Sequence, residues 1–280
     1  MQTIDALVKI RALCAQWRSQ GDDIALVPTM GNLHAGHLAL IAAARAQCPR
    51  VIATIFVNPT QFGPAEDYAR YPRTPHQDAV QLAEAGCDAL FVPSEGEVYP
   101  LGIALATRVE MPGLSNILCG SVRPGHFAGV ASVVLRLCNM VEPDVACFGE
   151  KDFQQLLLIR RLARDLSLRV RVVGFSTVRA DDGLALSSRN QYLDAAQRAT
   201  APAIWRTLQQ MRDARRAGDS AEAIEANAHA ALLASGCAPD YATIRKASDL
   251  SPAVEPPAGL EIALIAARLG STRLIDNLPF

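Results

Sequence analysis

Little in this sequence calls for a nucleic-acid or membrane partner. Its 280 residues carry 27 Lys and Arg against 28 Asp and Glu, a formal net charge of −1, with no long basic block. Binding a phosphate backbone or an anionic membrane requires a positive footprint, so neither is expected and a small-molecule partner is. The seven cysteines, at 14, 48, 87, 119, 138, 147 and 237, are odd in number, widely spaced and never form a C-x-x-C pair. That pattern argues against a disulfide framework and fits a reducing compartment. No apolar run approaches membrane-spanning length, and the opening MQTIDALVKIRALCAQW interleaves Asp5, Lys9 and Arg11 with apolar residues. It therefore lacks the continuous apolar core of a signal peptide, and a soluble, cytoplasmic chain is expected. Internal repeats and low-complexity tracts are missing as well.

What is present is a globular composition, 50% apolar and 20% charged, able to bury a sizeable core. Thr3 is expected to cap a first helix running to about Ser19, with Gly21 ending it. DIALVPT, VIATIFV, DALFV, DVACF and RVRVVGF read as short buried strands. Between them lie GHLALIAAARAQ, a helix opened by Thr74 and Pro75, AGVASVVLRLCNM and FQQLLLIRRLARDL, which read as amphipathic helices. This alternation predicts an α/β fold, a Rossmann-like doubly wound parallel sheet over residues 1–186. Beyond Ser187 the pattern changes to two Ala-rich helical stretches across 194–236 and strands near YATIRKA and LEIALIAARL, with the Pro-rich connector SPAVEPPAGL among them. A smaller α+β domain over 187–280 is expected.

Ligands of open α/β sheets bind outside the carboxyl ends of the strands, so the segments after each strand are the candidates. PTMGNLHAGHL, Pro28 to Leu38, joins a strand to a helix start, where backbone N–H groups make an anion site. His34 and His37 lie three apart, so both imidazoles can reach one phosphate. A P-loop is rejected because His37 and Leu38 stand where its Lys and Ser/Thr would be. Zinc is rejected because no third ligand has suitable local spacing. A plain helix-capping role for the two histidines stays open. In FVNPTQFGP, Asn58 and Gln61 offer amides; in FGEKDFQQL, Gly149 permits close approach, Lys151 brings charge and Asp152 precedes a helix. In LALSSRNQYL, Ser187, Ser188 and Arg189 suit a phosphate clamp or an ordinary loop. SVRPGHFAGV sets Arg123, His126 and Phe127 before a helix, either as a site or as a Gly/Pro turn.

Taken in order, PTMGNLHAGH, FVNPTQF, YPRT, RPGHF, FGEKDFQQ and LSSRN resemble the pantoate–β-alanine ligases, over about residues 30 to 190 and with a fitting total length. That family shares its His-x-Gly-His signature, here His34-Ala35-Gly36-His37, with other nucleotidyltransferases. The resemblance implies condensation of pantoate with β-alanine through a pantoyl-adenylate, with ATP and Mg²⁺, in a cytoplasmic homodimer. It implies that Met30, Gly31, Asn32 and Leu33 lie along ATP together with His34, Ala35, Gly36 and His37, the last as proton donor. Gly149, Glu150, Lys151 and Asp152 would contact the nucleotide, Val178 would meet adenine through its backbone, and Leu186, Ser187, Ser188 and Arg189 would close over the phosphates. His37, His34 and Lys151 would be catalytic, while Asn58, Gln61 and Gln155 would hold pantoate. No Mg²⁺ ligands are implied. Ala128 stands where the resemblance suggests a larger, polar residue. The competing readings are transfer of AMP to a phosphate acceptor and a non-catalytic nucleotide sensor on the same fold.

Overall fold

The computed structural model describes every residue except Ala65 and Ala258. The chain separates into two compact units, Met1–Glu150 with Leu158–Ser176, and Lys151–Leu157 with Thr177–Phe280. In chain order the first elements are β1 (Gln2–Ile4), α1 (Leu7–Ser19), β2 (Ile24–Thr29), α2 (Ala35–Arg45), β3 (Arg50–Ile55), α3 (Pro75–Glu84) and β4 (Ala89–Phe91). Two short helices follow, α4 (Glu95–Val98) and α5 (Cys119–Val122), and then α6 (His126–Val141), β5 (Val145–Gly149), α7 (Phe153–Asp165) and β6 (Arg171–Phe175).

Among the described residues these strands form one six-stranded sheet in the order β1-β4-β3-β2-β5-β6, every pair parallel. From β2 the chain winds outward through β3 to β4, then returns to the other side of β2 to place β5 and β6. The topological switch point thus lies between β2 and β5, paired at Ala25↔Val145 and Leu26↔Ala146. Parallel strands covered on both faces need unbroken apolar runs, and β2, IALVPT, has them. Ala25 and Val27 pack with Ile41 and Ala44 of α2 and Leu82 of α3. Ile24 and Leu26, pointing the other way and fully buried, belong to the face that α6 covers, with α1 against α6.

The amino terminus departs from expectation. Thr3 does not cap a helix: it sits in β1, paired with Leu90, and α1 starts only at Leu7 after an extended Ala6. The sheet edge offers Gln2–Ile4 backbone partners, including Gln2 N–H to the Asp88 carbonyl, and that pairing outweighs a capping preference of about 1 kcal/mol.

The second unit carries α8 (Ala195–Thr200), α9 (Ala203–Ala217), α10 (Ala221–Ala234), β7 (Ala238–Lys246), β8 (Glu261–Leu269) and β9 (Thr272–Pro279). Among the described residues, the Ala-rich region holds three helices where two stretches were expected. Asp194 opens α8 with a reciprocal cap to Gln197, and the left-handed Gly218 ends α9. The strands form an antiparallel sheet, β7-β8-β9, whose apolar face meets Ile204, Leu208 and Met211 of α9 and Leu232 of α10. β9 was not expected, because TRLIDNLP mixes Arg273, Asp276 and Asn277 into its apolar alternation. The buried Arg215 is paired with the buried Glu261 at 2.8 Å, so this core contains a compensated charge pair.

Candidate active site

The turn leaving β2 is held by Thr29 at its own start and by Asp78 from outside the motif. Thr29 Oγ1 donates to the Thr54 carbonyl (2.7 Å) and accepts from Gly31 N–H (3.2 Å). Asp78, in the first turn of α3 and 1% exposed, accepts from Asn32 N–H with one oxygen and from Leu33 N–H with the other, both at 2.9 Å. Thr74 Oγ1 adds a third donor at 3.1 Å. Gly31 has φ +80°, and a Cβ there would lie 3.0 Å from Asp78 Oδ2 and 3.1 Å from Ile55 Cγ2. Both the backbone conformation and the close approach therefore require glycine.

His34 caps α2 and receives Gly36 N–H at Nδ1 (3.1 Å), while His37 Nδ1 receives the His34 N–H (3.3 Å). The rings lie 4.1 Å apart between centroids, tilted by 43°. Capping and ligand binding are compatible here, because accepting at Nδ1 puts the hydrogen of each neutral imidazole on Nε2. The helix amino terminus and two imidazole N–H donors thus meet at the switch point, an arrangement suited to phosphate.

After β3, Asn58 is 1% exposed and organises its own turn. Its Nδ2 donates to Gln61 Oε1 (3.0 Å) and the Gly129 carbonyl (3.2 Å). Its Oδ1 accepts from Tyr99 OH (2.7 Å), Thr60 Oγ1 (3.0 Å) and Thr60 N–H (3.3 Å). Gln61 in turn points Nε2 at Met30 Sδ, 3.2 Å away, so Asn58, Gln61 and Met30 form one connected group. Burial pushes the Tyr99 phenol above its ordinary value, which keeps it a donor. Gly129 of α6 lets this turn pack against the helix: a Cβ would meet the Thr60 carbonyl oxygen at 2.4 Å.

Arg123 and His126 flank the same turn. Arg123 holds Glu66 with two bonds of 2.6 Å, and its Nη1 lies 2.9 Å from His126 Nε2. His126 Nδ1 lies 2.8 Å from the Gln61 carbonyl oxygen. Burial tends to raise the Glu66 carboxyl, but the bonds and charge of Arg123 outweigh it and hold the group below its ordinary value.

In the second unit, Lys151 and Asp152 occupy the turn before α7, with Gln155 on its first turn. The Lys151 carbonyl accepts from Asn277 Nδ2 of β9 (2.9 Å). Beside Asn277, Asp276 takes both arms of Arg179, at 2.5 and 3.0 Å, and that guanidinium lies 3.6 Å from the Trp205 ring centroid. Val178 and Leu186 face each other across a small hairpin, Leu186 N–H donating to the Val178 carbonyl (2.9 Å). The stretch after it is a 3₁₀ turn, Ser188–Tyr192, where a loop was expected, capped by Ser187 Oγ accepting from Arg189 N–H.

The sequence motifs omitted Asp78, Tyr99, Glu66, Asp276 and Asn277, and contained Thr29 and Gly129 without singling them out. A carboxylate on the buried side of an amphipathic helix was the one available signal, at Asp78. The others act through contacts between distant segments.

A doubly wound sheet with a histidine-capped helix at its switch point defines a nucleotide-handling α/β protein. The pantoate-beta-alanine ligase family model matches residues 2–279, and the chain belongs to that family of ligases. A pantothenate synthetase of Xanthomonas campestris pv. campestris is 53% identical over 283 residues, covering all of both chains. One of Stenotrophomonas maltophilia is 52% identical over 280, again over all of both. The crystal structure of pantothenate synthetase from Thermus thermophilus superposes with a TM-score of 0.92 at 46% identity, covering 99% of each chain. A pantoate-beta-alanine ligase from Francisella tularensis, complexed with beta-gamma ATP and beta-alanine, gives 0.82 at 33% identity, over 99% of this chain and 97% of that one.

Proposed function

We propose that this chain makes pantothenate from pantoate and β-alanine with ATP. A pantoate carboxylate oxygen attacks the α-phosphorus of ATP and the bond to pyrophosphate breaks. The β-alanine amine then attacks the acyl carbon of the adenylate, AMP leaves with the bonding pair, and the amine loses a proton as the amide forms. Neither step needs a nucleophilic side chain; both need charge neutralised and groups held in line. His34 and His37 donate to the phosphates from the start of α2, and Lys151 and Arg189 supply positive charge. Met30 through Leu33, Ala35, Gly36, Gly149, Glu150, Asp152, Val178, Leu186, Ser187 and Ser188 complete the ATP contacts, and Gln61 and Gln155 hold pantoate. Asn58 serves pantoate by fixing Gln61, since its own amide is engaged within the protein.

Among the described residues no group of three or more His, Cys, Asp or Glu side chains is placed to hold a metal ion. Mg²⁺ is therefore proposed to arrive with ATP, bound to phosphate oxygens. A homodimeric, cytoplasmic setting is carried over from the family; among the described residues no helix is long and apolar enough to cross a membrane.

The observation that carries this reading is the pairing of a phosphate-suited helix start with an amide-lined turn one strand away. The rival, AMP transfer to a phosphate acceptor, would want an uncommitted cation beside Gln61. Arg123, which reaches the Gln61 carbonyl, is committed to Glu66. Isotope exchange decides: labelled pyrophosphate should enter ATP when pantoate and Mg²⁺ are present without β-alanine. A strict need for β-alanine would refute the adenylate route.

A further inference from the structure

Arg123 and His126 belong to no step above, yet they are tied to the turn that presents Gln61. A guanidinium has hydrogens to donate and no lone pair to accept, so the 2.9 Å contact makes His126 Nε2 the acceptor. The imidazole hydrogen must then sit on Nδ1, which donates to the Gln61 carbonyl at 2.8 Å. Glu66 holds Arg123 on its other side through Nε and Nη2. Gln61 is thereby fixed at both ends: its backbone by His126, its side chain by Asn58 and Met30. An amide nitrogen carries two hydrogens, and the sulfur takes one. With Glu66 balancing Arg123 and His126 neutral, the cluster adds no net charge beside the turn, which suits a support better than a carboxylate receptor.

We propose that His126 and Arg123 are positioning residues for Gln61, aiming its amide at the pantoate carboxyl or hydroxyl oxygens through the Nδ1–H bond to the Gln61 carbonyl. This rests on the reading of Gln61 as a pantoate ligand. The backbone bond anchors the turn, while the Asn58 and Met30 contacts set which face of the amide looks outward.

The test is a set of pantoate and ATP titrations on His126→Leu, His126→Asn, Gln61→Ala and the double variant His126→Leu/Gln61→Ala, each checked for folding by circular dichroism. Asn places an N–H close to where His Nδ1 stood; Leu has none. Losing one neutral hydrogen bond of about 1 kcal/mol should raise the pantoate Kd roughly fivefold in His126→Leu. The ATP Kd should be unchanged, and His126→Asn should recover most of the pantoate affinity. In the Gln61→Ala background, His126→Leu should add little, because the two act as one unit. Equal weakening by His126→Leu in both backgrounds, or none in the parent, would overturn the proposal. If Gln61→Ala itself leaves pantoate binding intact, the ligand reading fails first and the proposal falls with it. That result is recognisable by the single Gln61 variant. Should His126→Leu not fold, Arg123→Met frees the imidazole from its required tautomer and is expected to weaken pantoate selectively; unchanged pantoate affinity in that variant would count against the proposal.

Discussion

Asp78 gives both carboxylate oxygens to the backbone of the nucleotide-side turn, at Asn32 and Leu33. Asp78→Ala would leave two N–H groups without their acceptors, each costing about 1–3 kcal/mol where buried. A stability loss of roughly 2–4 kcal/mol in urea titration is expected, with ATP affinity falling more than pantoate affinity. Lys151 and His37 call for a different measurement. Charge moves onto pyrophosphate as the carboxylate attacks, and donors already aimed there favour the transition state over the ground state. Lys151→Ala or His37→Ala should slow single-turnover adenylate formation by roughly 10²–10³-fold while the circular dichroism spectrum is kept. A folded Lys151→Ala variant with parental adenylation would remove Lys151 from the chemistry.

Packing between elements sets the shape of the pantoate-side turn. The first turns of α6 press on Pro59–Gln61, and this contact exists because residue 129 has no side chain. Gly129→Ala would drive a methyl into the Thr60 backbone, 2.4 Å from its carbonyl oxygen. Backbone cannot swing aside as a side-chain tip can, so the turn or the helix must shift. A stability loss of about 1–3 kcal/mol is expected, with a raised pantoate Kd measured by calorimetry. At Gly149 a Cβ meets nothing within 4 Å, so Gly149→Ala serves as the stability control and should melt close to the parent.

Across the whole molecule, all seven cysteines are buried and none is in a disulfide. Burial pushes the thiols of Cys14 and Cys87 up to about 11 and those of Cys138 and Cys147 up to about 12. A folded pKa above the ordinary 9.0 means these groups favour the fold fully below that value. The contribution is lost as pH climbs from 9.0 towards about 12. Two outcomes are expected. Near neutral pH iodoacetamide should label the native protein slowly and all seven sites after unfolding in urea, counted by mass spectrometry. The urea midpoint should also fall as pH rises above 9.0.

Sequence by itself determined the parallel α/β unit, because strands buried on both faces must be apolar throughout and amphipathic helices must repeat every 3.6 residues. It determined the helix start at His34 and the amides at 58 and 61, since local spacing and strand ends locate both. Tertiary structure alone decided the rest. Thr3 lies in an edge strand because the β4 backbone was waiting for a partner. β9 forms because β8 pairs with it and Arg179 neutralises its buried Asp276, an exchange between residues 97 positions apart. Asp78 reaches Asn32 across 46 positions, and His126 reaches Gln61 across 65. A hydrogen bond leaves a mark on sequence when its partners are neighbours in a turn or a helix. When the fold brings the partners together from different elements, the residue types permit the bond and only the packing makes it.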